Sequence, residues 1–563
     1  MTCPGMKPYL LRGLTALALV SGLSACVPAG SGAGAGTGAA PRAMFGRNDD
    51  RQRIGSFANI DGVAVSRRYV FAAASGGIAV YDRLRNAWLP PLTRDADMGE
   101  MSITVMAGDP FEDALWLGVP GGVLTYRPET MQLQRSMLTG VPDVIAFDKR
   151  GTGDAFVRAG GQWTRVSRIG LTTPMPAPPA ANAVVMAGGL NELYARFPTL
   201  RAQPQALLRT QQANRALRPF SLSSGAASPD RTSEVWLGTS GEGLFRLDPN
   251  FLQAEPMRFG LQEPGVGALA LAADGVWVAG LGLSALRGGL SFTTSDLQRW
   301  RWIDGTIAVP LAGVRTFALA TRGNRAWMGT ARGLVRVWLN GSEDVTAWTA
   351  LDGLPDERVL AVAPREESVW IGTPRGVLSI VDSSDNKPRE TRGIGVRLLE
   401  NVPVYALQFV GDTLWMGTEG GLVALPRAEA GGGVLSRPAG EDPALRRPVR
   451  SIAWHDTVLL AATDDAVLSL APRGGRAPRR LDELSLPQIG QVTRVGIDER
   501  AIWVSGTTGL VVQSRRTGAL RVLRVPSELP GPVLDVVADA DWMWVGTPQG
   551  LIRLRRSSDG VIW

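Results

Sequence analysis

The sequence predicts an all-β chain of four-stranded blades on three observations. A unit of about forty-three residues recurs along it, each unit alternates apolar and polar residues with period two between Gly and Pro punctuation, and the units lack a 3.6-residue apolar period. The clearest copies read WLGTSGEGL from Trp236, WMGTARGL from Trp327, WIGTPRGV from Trp370, WMGTEGGL from Trp415 and WVGTPQGL from Trp544. Degenerate copies start at Trp116, Trp277 and Trp503, and weaker ones place Phe71, Phe156, Tyr194 and Leu459 at the same point. That gives about twelve blades, more than the four to eight of one ring, so the expected architecture is tandem β-propellers. Two six-bladed rings follow if the longest step, from Trp277 to Trp327, marks the crossing between them. A split of five and seven is the alternative the spacing leaves open.

One blade can be built from the residue types. The apolar run before each tryptophan, such as VLAVA from Val359 or VYALQF from Val404, is the innermost strand, A. The tryptophan strand is B, with the indole and the glycine two residues later on one face. The second glycine closes the B–C hairpin, where a left-handed backbone favours a residue without Cβ. An indole repeated at one strand position is a packing group, so Trp116, Trp236, Trp277, Trp327, Trp370, Trp415, Trp503 and Trp544 are expected as blade anchors in the core. The chain ends with VIW inside the last blade, so closing that blade needs a strand from earlier sequence.

Composition narrows the function classes. The net charge of +7 is spread over 563 residues, and nearly all basic residues are arginine. No aromatic residues are interleaved with the cluster Arg473, Arg476, Arg479 and Arg480, so nucleic-acid binding is not expected. Cys3 and Cys26 are the only cysteines and His455 the only histidine, which leaves no disulfide framework and no Cys or His metal site. No catalytic residue, metal or cofactor is therefore assigned. Paired carboxylates meeting across a channel are the remaining catalytic alternative.

The first residues carry a targeting pattern. Lys7 and Arg12 precede an apolar stretch from Gly13 to Leu23. About eleven residues span some 16 Å as a helix, against the ~30 Å of a bilayer core. Leu23, Ser24, Ala25 and Cys26 resemble the lipobox of bacterial lipoproteins, and this resemblance implies diacylglycerol on the Cys26 thiol with cleavage just before it. Residues 1–25 are then the signal peptide, and 26–44, rich in Gly and Ala, a lipidated flexible tether. The first propeller is expected over 45–300 and the second over 301–563. Val27, where an Asp would signal inner-membrane retention, favours the outer membrane, with the protein periplasmic or surface-facing.

The stretch LDGLPDERVLAVAPREESVWIGTPRGVLSIV, from Leu351, resembles the repeats of the two-component-regulator propeller family, through Asp352, Gly353, Leu354, Pro355, Val359, Trp370, Gly372, Thr373 and Gly376. The resemblance implies a periplasmic sensor-like propeller, often for carbohydrate. The family's β-sandwich, membrane helix and kinase do not follow in this sequence. Because strands A to D alternate in direction, B–C hairpins and D–A connections emerge on one face. Arg332, Arg375, Glu419 and Gln549 from the hairpins, with Asp352, Asp356 and Arg358 from a D–A loop, form the candidate binding face. Its expected occupant is a protein partner of the cell envelope, or a glycan or other small ligand.

Overall fold

The computed structural model describes residues 50–93, 102–148, 150–176, 183–185, 189–202, 221–251, 253–283, 288–304, 311, 313–339, 344–365, 367–381, 399–430, 433–437, 442–472, 477–484 and 486–562. Cys26 and the residues expected to form the signal peptide and tether lie outside them. The described residues belong to one compact unit. The described residues make eleven antiparallel sheets, most of them four-stranded and with strands in chain order, numbered here as blades. Blades 1 to 4 cover 60–93, 105–137, 142–185 and 222–257. Blades 5 to 11 cover 266–304, 316–348, 361–381, 404–425, 451–480, 492–524 and 535–555.

The unit expected around Tyr194 is not a blade. Tyr194 lies in helix α1 (Leu190–Arg196), followed by α2 (Pro198–Ala202). LNELYAR pairs an acidic first turn with a basic last turn and has no glycine after its aromatic residue, so helix chemistry prevails over the spacing. The other anchors all lie in second strands, and the eight tryptophans are buried.

Six of these tryptophans pack onto the blade that follows in sequence. Trp116 clusters with Ile145 and Val157 of blade 3, Trp277 with Ala326 and Met328 of blade 6, and Trp370 with Leu414 and Met416 of blade 8. Trp327, Trp415 and Trp503 reach blades 7, 9 and 10's successor, blade 11, in the same way. Two tryptophans reach backwards in sequence. Trp236 of blade 4 packs on Val63, Val65 and Val70 of blade 1, and Trp544 of blade 11 on Val266, Val276 and Val278 of blade 5.

The repeat glycine two residues after the tryptophan follows the same rule. A Cβ at Gly417 would sit 2.6 Å from the Val449 carbonyl oxygen of the next blade's approach, and one at Gly329 would sit 2.6 Å from that of Val359. Equivalent positions Gly238 and Gly546 meet Ile60 and Val266. Gly417→Ala should therefore cost about 1–3 kcal/mol by overpacking, read as a lower urea midpoint. Gly420→Ala, with only a 3.8 Å neighbour, should stay within about 0.5 kcal/mol. Equal midpoints for the two variants would refute this contact as the reason for the glycine.

The inner strands confirm the order of packing. Val266–Ala272 of blade 5 lies between Thr316–Arg322 of blade 6 and Asp535–Ala538 of blade 11. The strand Trp300–Asp304 of blade 5 spans the expected boundary between residues 300 and 301, and its Ile303 packs with residues of blade 6.

Blade 11 receives its fourth strand from the start of the described chain: Arg51–Ile54 pairs antiparallel with Gly550–Arg555, Ile54 opposite Leu551. From there residues 55–59 lead to blade 1, and residues 258–265 return to blade 5. The two crossings run side by side. The Phe57 N–H donates to the Leu261 carbonyl at 3.3 Å and the Leu261 N–H to that of Gly55 at 3.0 Å. Phe259 packs between Phe57, Trp88 and Trp300, tying blades 1 and 5 to the crossing.

Candidate functional site

The hairpins that carry the candidate face are built by the Gly-Thr of the repeat. The threonine hydroxyl donates to the carbonyl of the hairpin glycine, at 2.8 Å for Thr330 and Gly333, 3.0 Å for Thr373 and Gly376, 2.7 Å for Thr418 and Gly421, and 2.9 Å for Thr547 and Gly550. The same hydroxyl accepts the backbone N–H two residues on, from Arg332, Arg375 and Gln549. Neighbouring connections are stitched to the turns: the Ala331 N–H donates to Arg315 and the Glu419 N–H to Pro403, both at 2.9 Å. The face is a rigid frame from which these side chains project.

Among the expected residues, Arg375 and Arg358 come together around Asp356, at 3.8 and 3.4 Å. Asp352 has a structural task. Its carboxylate accepts the Thr349 N–H at 2.8 Å and the Thr349 hydroxyl at 2.9 Å, forming a capping box on the 3-10 turn Ala350–Asp352. That turn presents Leu351 at 98% exposure. Arg332 is exposed on the neighbouring hairpin. Gln549 belongs to the closure: its carbonyl accepts both Nε and Nη2 of Arg53, at 3.2 and 3.0 Å.

Glu419 is the entry to a network that spacing alone does not reveal. Its Oε2 accepts the Tyr405 hydroxyl at 2.6 Å and faces Arg450 Nη1 at 3.5 Å. Arg450 lies over the Tyr405 ring, 4.3 Å from the centroid, and pairs with Asp464 at 3.2 Å. Arg447 pairs with Asp465 at 2.7 Å. Burial and the Glu419 carboxylate push the Tyr405 phenol up, against the opposing pull of Arg450. Desolvation opposes the charge of Arg450, yet Tyr405 and Asp464 outweigh it and hold the guanidinium above its usual range. Asp464 and Asp465 follow Thr463, which donates to Ala466 at 3.3 Å as the repeat threonines do, one residue later than an anchor at Leu459 would put it. Tyr405 and Arg450 carry no such signal, lying at the head of inner strands.

His455 ends strand Ser451–His455 opposite Val458. Arg479 and Arg480 are exposed and pair locally with Glu483 and Asp482, as a solvated segment does. The described residues contain no group of three His, Cys, Asp or Glu side chains able to hold a metal, and no helix among them is long and apolar enough to cross a membrane.

No protein-family model matches the chain, and no curated protein matches it. Among solved structures, PorZ, a surface component of the type-IX secretion system of Porphyromonas gingivalis, aligns over 88% of this chain and 68% of its own at 13% identity, with a TM-score of 0.43. The extracellular domain of a putative one component system from B. thetaiotaomicron aligns over 89% and 70% at 12% identity and 0.38. A virginiamycin B lyase from Staphylococcus aureus aligns over 52% and 96% at 11% identity and 0.41. The blade architecture rests on the sheets themselves: the chain is an all-β protein of the propeller kind, built of tandem four-stranded blades.

Proposed function

We propose that this chain is an exported lipoprotein, anchored through Cys26, whose propeller face serves as a docking surface for a protein partner in the cell envelope. The observation that carries the reading is Leu351: a fully exposed leucine on a capped, rigid turn, beside the polar cluster of Asp356, Arg358 and Arg375. An apolar anchor held in one conformation loses little entropy on binding, and charged neighbours steer the encounter and set register. The likeness of residues 351–381 to two-component-regulator propeller repeats supports a module that recognises and does not catalyse. With this reading goes a division of the blades into seven, blades 5–11, and a remainder of blades 1–4 with α1. The backward contacts of Trp236 and Trp544 support that division.

The experiment is crosslinking of the native, lipidated protein in its membrane, purification and mass spectrometry, alongside Leu351→Asp with Arg375→Ala and alongside Cys26→Ala. A stoichiometric partner is expected for the native chain. Its recovery should fall about tenfold or more in the face variant at unchanged melting temperature. Cys26→Ala should release the protein from the membrane fraction. An unaltered partner yield in the face variant would refute the docking surface, and continued lipid incorporation in Cys26→Ala would refute the anchor.

A further inference from the structure

The inner strands of blades 1, 2 and 4 and helix α1 enclose a cavity of about 400 Å³. Residue size explains it. Ala107, Gly108, Gly225 and Ala226 line the wall, where later inner strands such as Val404–Val410 carry Val, Tyr, Leu and Phe. Gly225 is small for a reason visible in the packing, since a Cβ there would lie 2.8 Å from the Leu193 side chain of α1. The lining includes the apolar side chains of Val63, Met106 and Leu193, all buried.

Charge is confined to exposed lining residues: Arg67, Glu192 and Arg196. Arg67 is placed over the Phe111 ring, 5.8 Å from its centroid, and Arg196 over Phe197 at 5.4 Å. Among the described residues no carboxylate lies within ion-pair distance of either guanidinium, whereas Arg358, Arg375, Arg447 and Arg450 on the other face are all paired. Burial pushes the Glu192 carboxyl up, against the pull of Arg196.

We propose that this cavity binds a small anionic amphiphile, its carboxylate or sulfonate held by Arg67 and Arg196 and its apolar body lying against Val63, Met106 and Leu193. The volume is at the lower end of the roughly 300–1,000 Å³ of small-molecule sites, which suits an aromatic or medium-chain acid and leaves no room for a polysaccharide chain. A planar guanidinium over an aromatic ring is preorganised for such an oxyanion. This site is separate from the docking face, and neither proposal depends on the other.

The probe is 8-anilinonaphthalene-1-sulfonate, whose fluorescence rises in apolar surroundings, titrated into the purified mature chain. Saturable one-to-one binding is expected, displaced by octanoate and not by octylamine. Arg67→Ala with Arg196→Ala should weaken it about tenfold or more at unchanged melting temperature, because both side chains are exposed. Glu192→Gln should leave it equal or tighter. Displacement by octylamine, loss of binding in Glu192→Gln, or wild-type affinity in the double arginine variant would each overturn the assignment, as would absence of saturable binding.

Discussion

Ile54→Asp is expected to destabilise the protein by about 4 kcal/mol or more. Ile54 is fully buried, in one cluster with Leu261, Val266, Trp544 and Leu551. These residues come from the closing strand, the returning crossing, blade 5 and blade 11, so a carboxylate at this point would sit where four separate pieces of chain meet. Its strand also supplies Gln52, buried against Arg553, and the four register pairs that cover the outer edge of Gly550–Arg555. Without that cover the last blade would expose an unpaired edge carrying Leu551 and Leu554, a template for association. Urea unfolding and light scattering of purified protein check this. The expected outcome is a lower midpoint with concentration-dependent aggregation, while Arg51→Ala, at an exposed position of the same strand, should stay within about 0.5 kcal/mol. If Ile54→Asp unfolds like the native chain, the closing strand is not where the register places it.

The repeats were legible because one motif carries three tasks that any blade needs: an indole for the next blade, a glycine where the next blade approaches, and a threonine that seals the hairpin. Wherever all three residues were present, as from Trp327, Trp370, Trp415 and Trp544, strand and turn followed from the sequence. The closing strand was anticipated for a related reason, since a chain ending within a blade leaves that blade short. Tyr194 failed because only spacing supported it, and spacing reports the length of connecting chain, not its conformation. The expected grouping of blades rested on spacing alone as well. Which blade neighbours which is decided by contacts far apart in sequence, such as the Leu269 N–H donated to the Asp535 carboxylate at 2.8 Å, and periodicity contains no information about them. On the candidate face, the hairpin residues could be placed by strand alternation. Their partners Tyr405 and Arg450 could not, because an inner strand offers no pattern that separates a packing residue from one turned to the rim.

Arg83→Met is expected to cost about 3–5 kcal/mol, because it breaks the charged clasp that fastens blade 4 back onto blade 1. Arg83 follows the third strand of blade 1 and is buried. Its Nη1 donates to the Ser66 carbonyl at 2.9 Å and to Asp230 at 2.9 Å, its Nη2 donates to Ser228 at 2.8 Å, and its Nε faces Glu234 at 2.9 Å. Removing the cation leaves Glu234 buried with Arg231 at 3.0 Å and the Trp236 indole N–H at 2.7 Å as its remaining partners. Adding Glu234→Gln should therefore recover part of the loss, since the amide oxygen still accepts the indole N–H and the more buried of the two carboxylates that lost Arg83 is neutral. Two equal, additive losses would refute the coupling. The clasp also has a direction in pH. Burial pushes the Asp230 carboxyl up, but hydrogen bonds from Ser228 and Arg83 outweigh it and hold the group below its ordinary value. A carboxyl depressed in the folded state contributes stability that is fully present above its unfolded pKa, about 3.9, and is lost as pH falls through the lower folded value. Acid unfolding of the native chain should accordingly steepen below about pH 4, and Arg83→Met should weaken that dependence while leaving stability between pH 6 and pH 8 lower by a constant amount. A variant that keeps the full acid dependence would show that Asp230 owes its depressed pKa to Ser228 and the backbone alone.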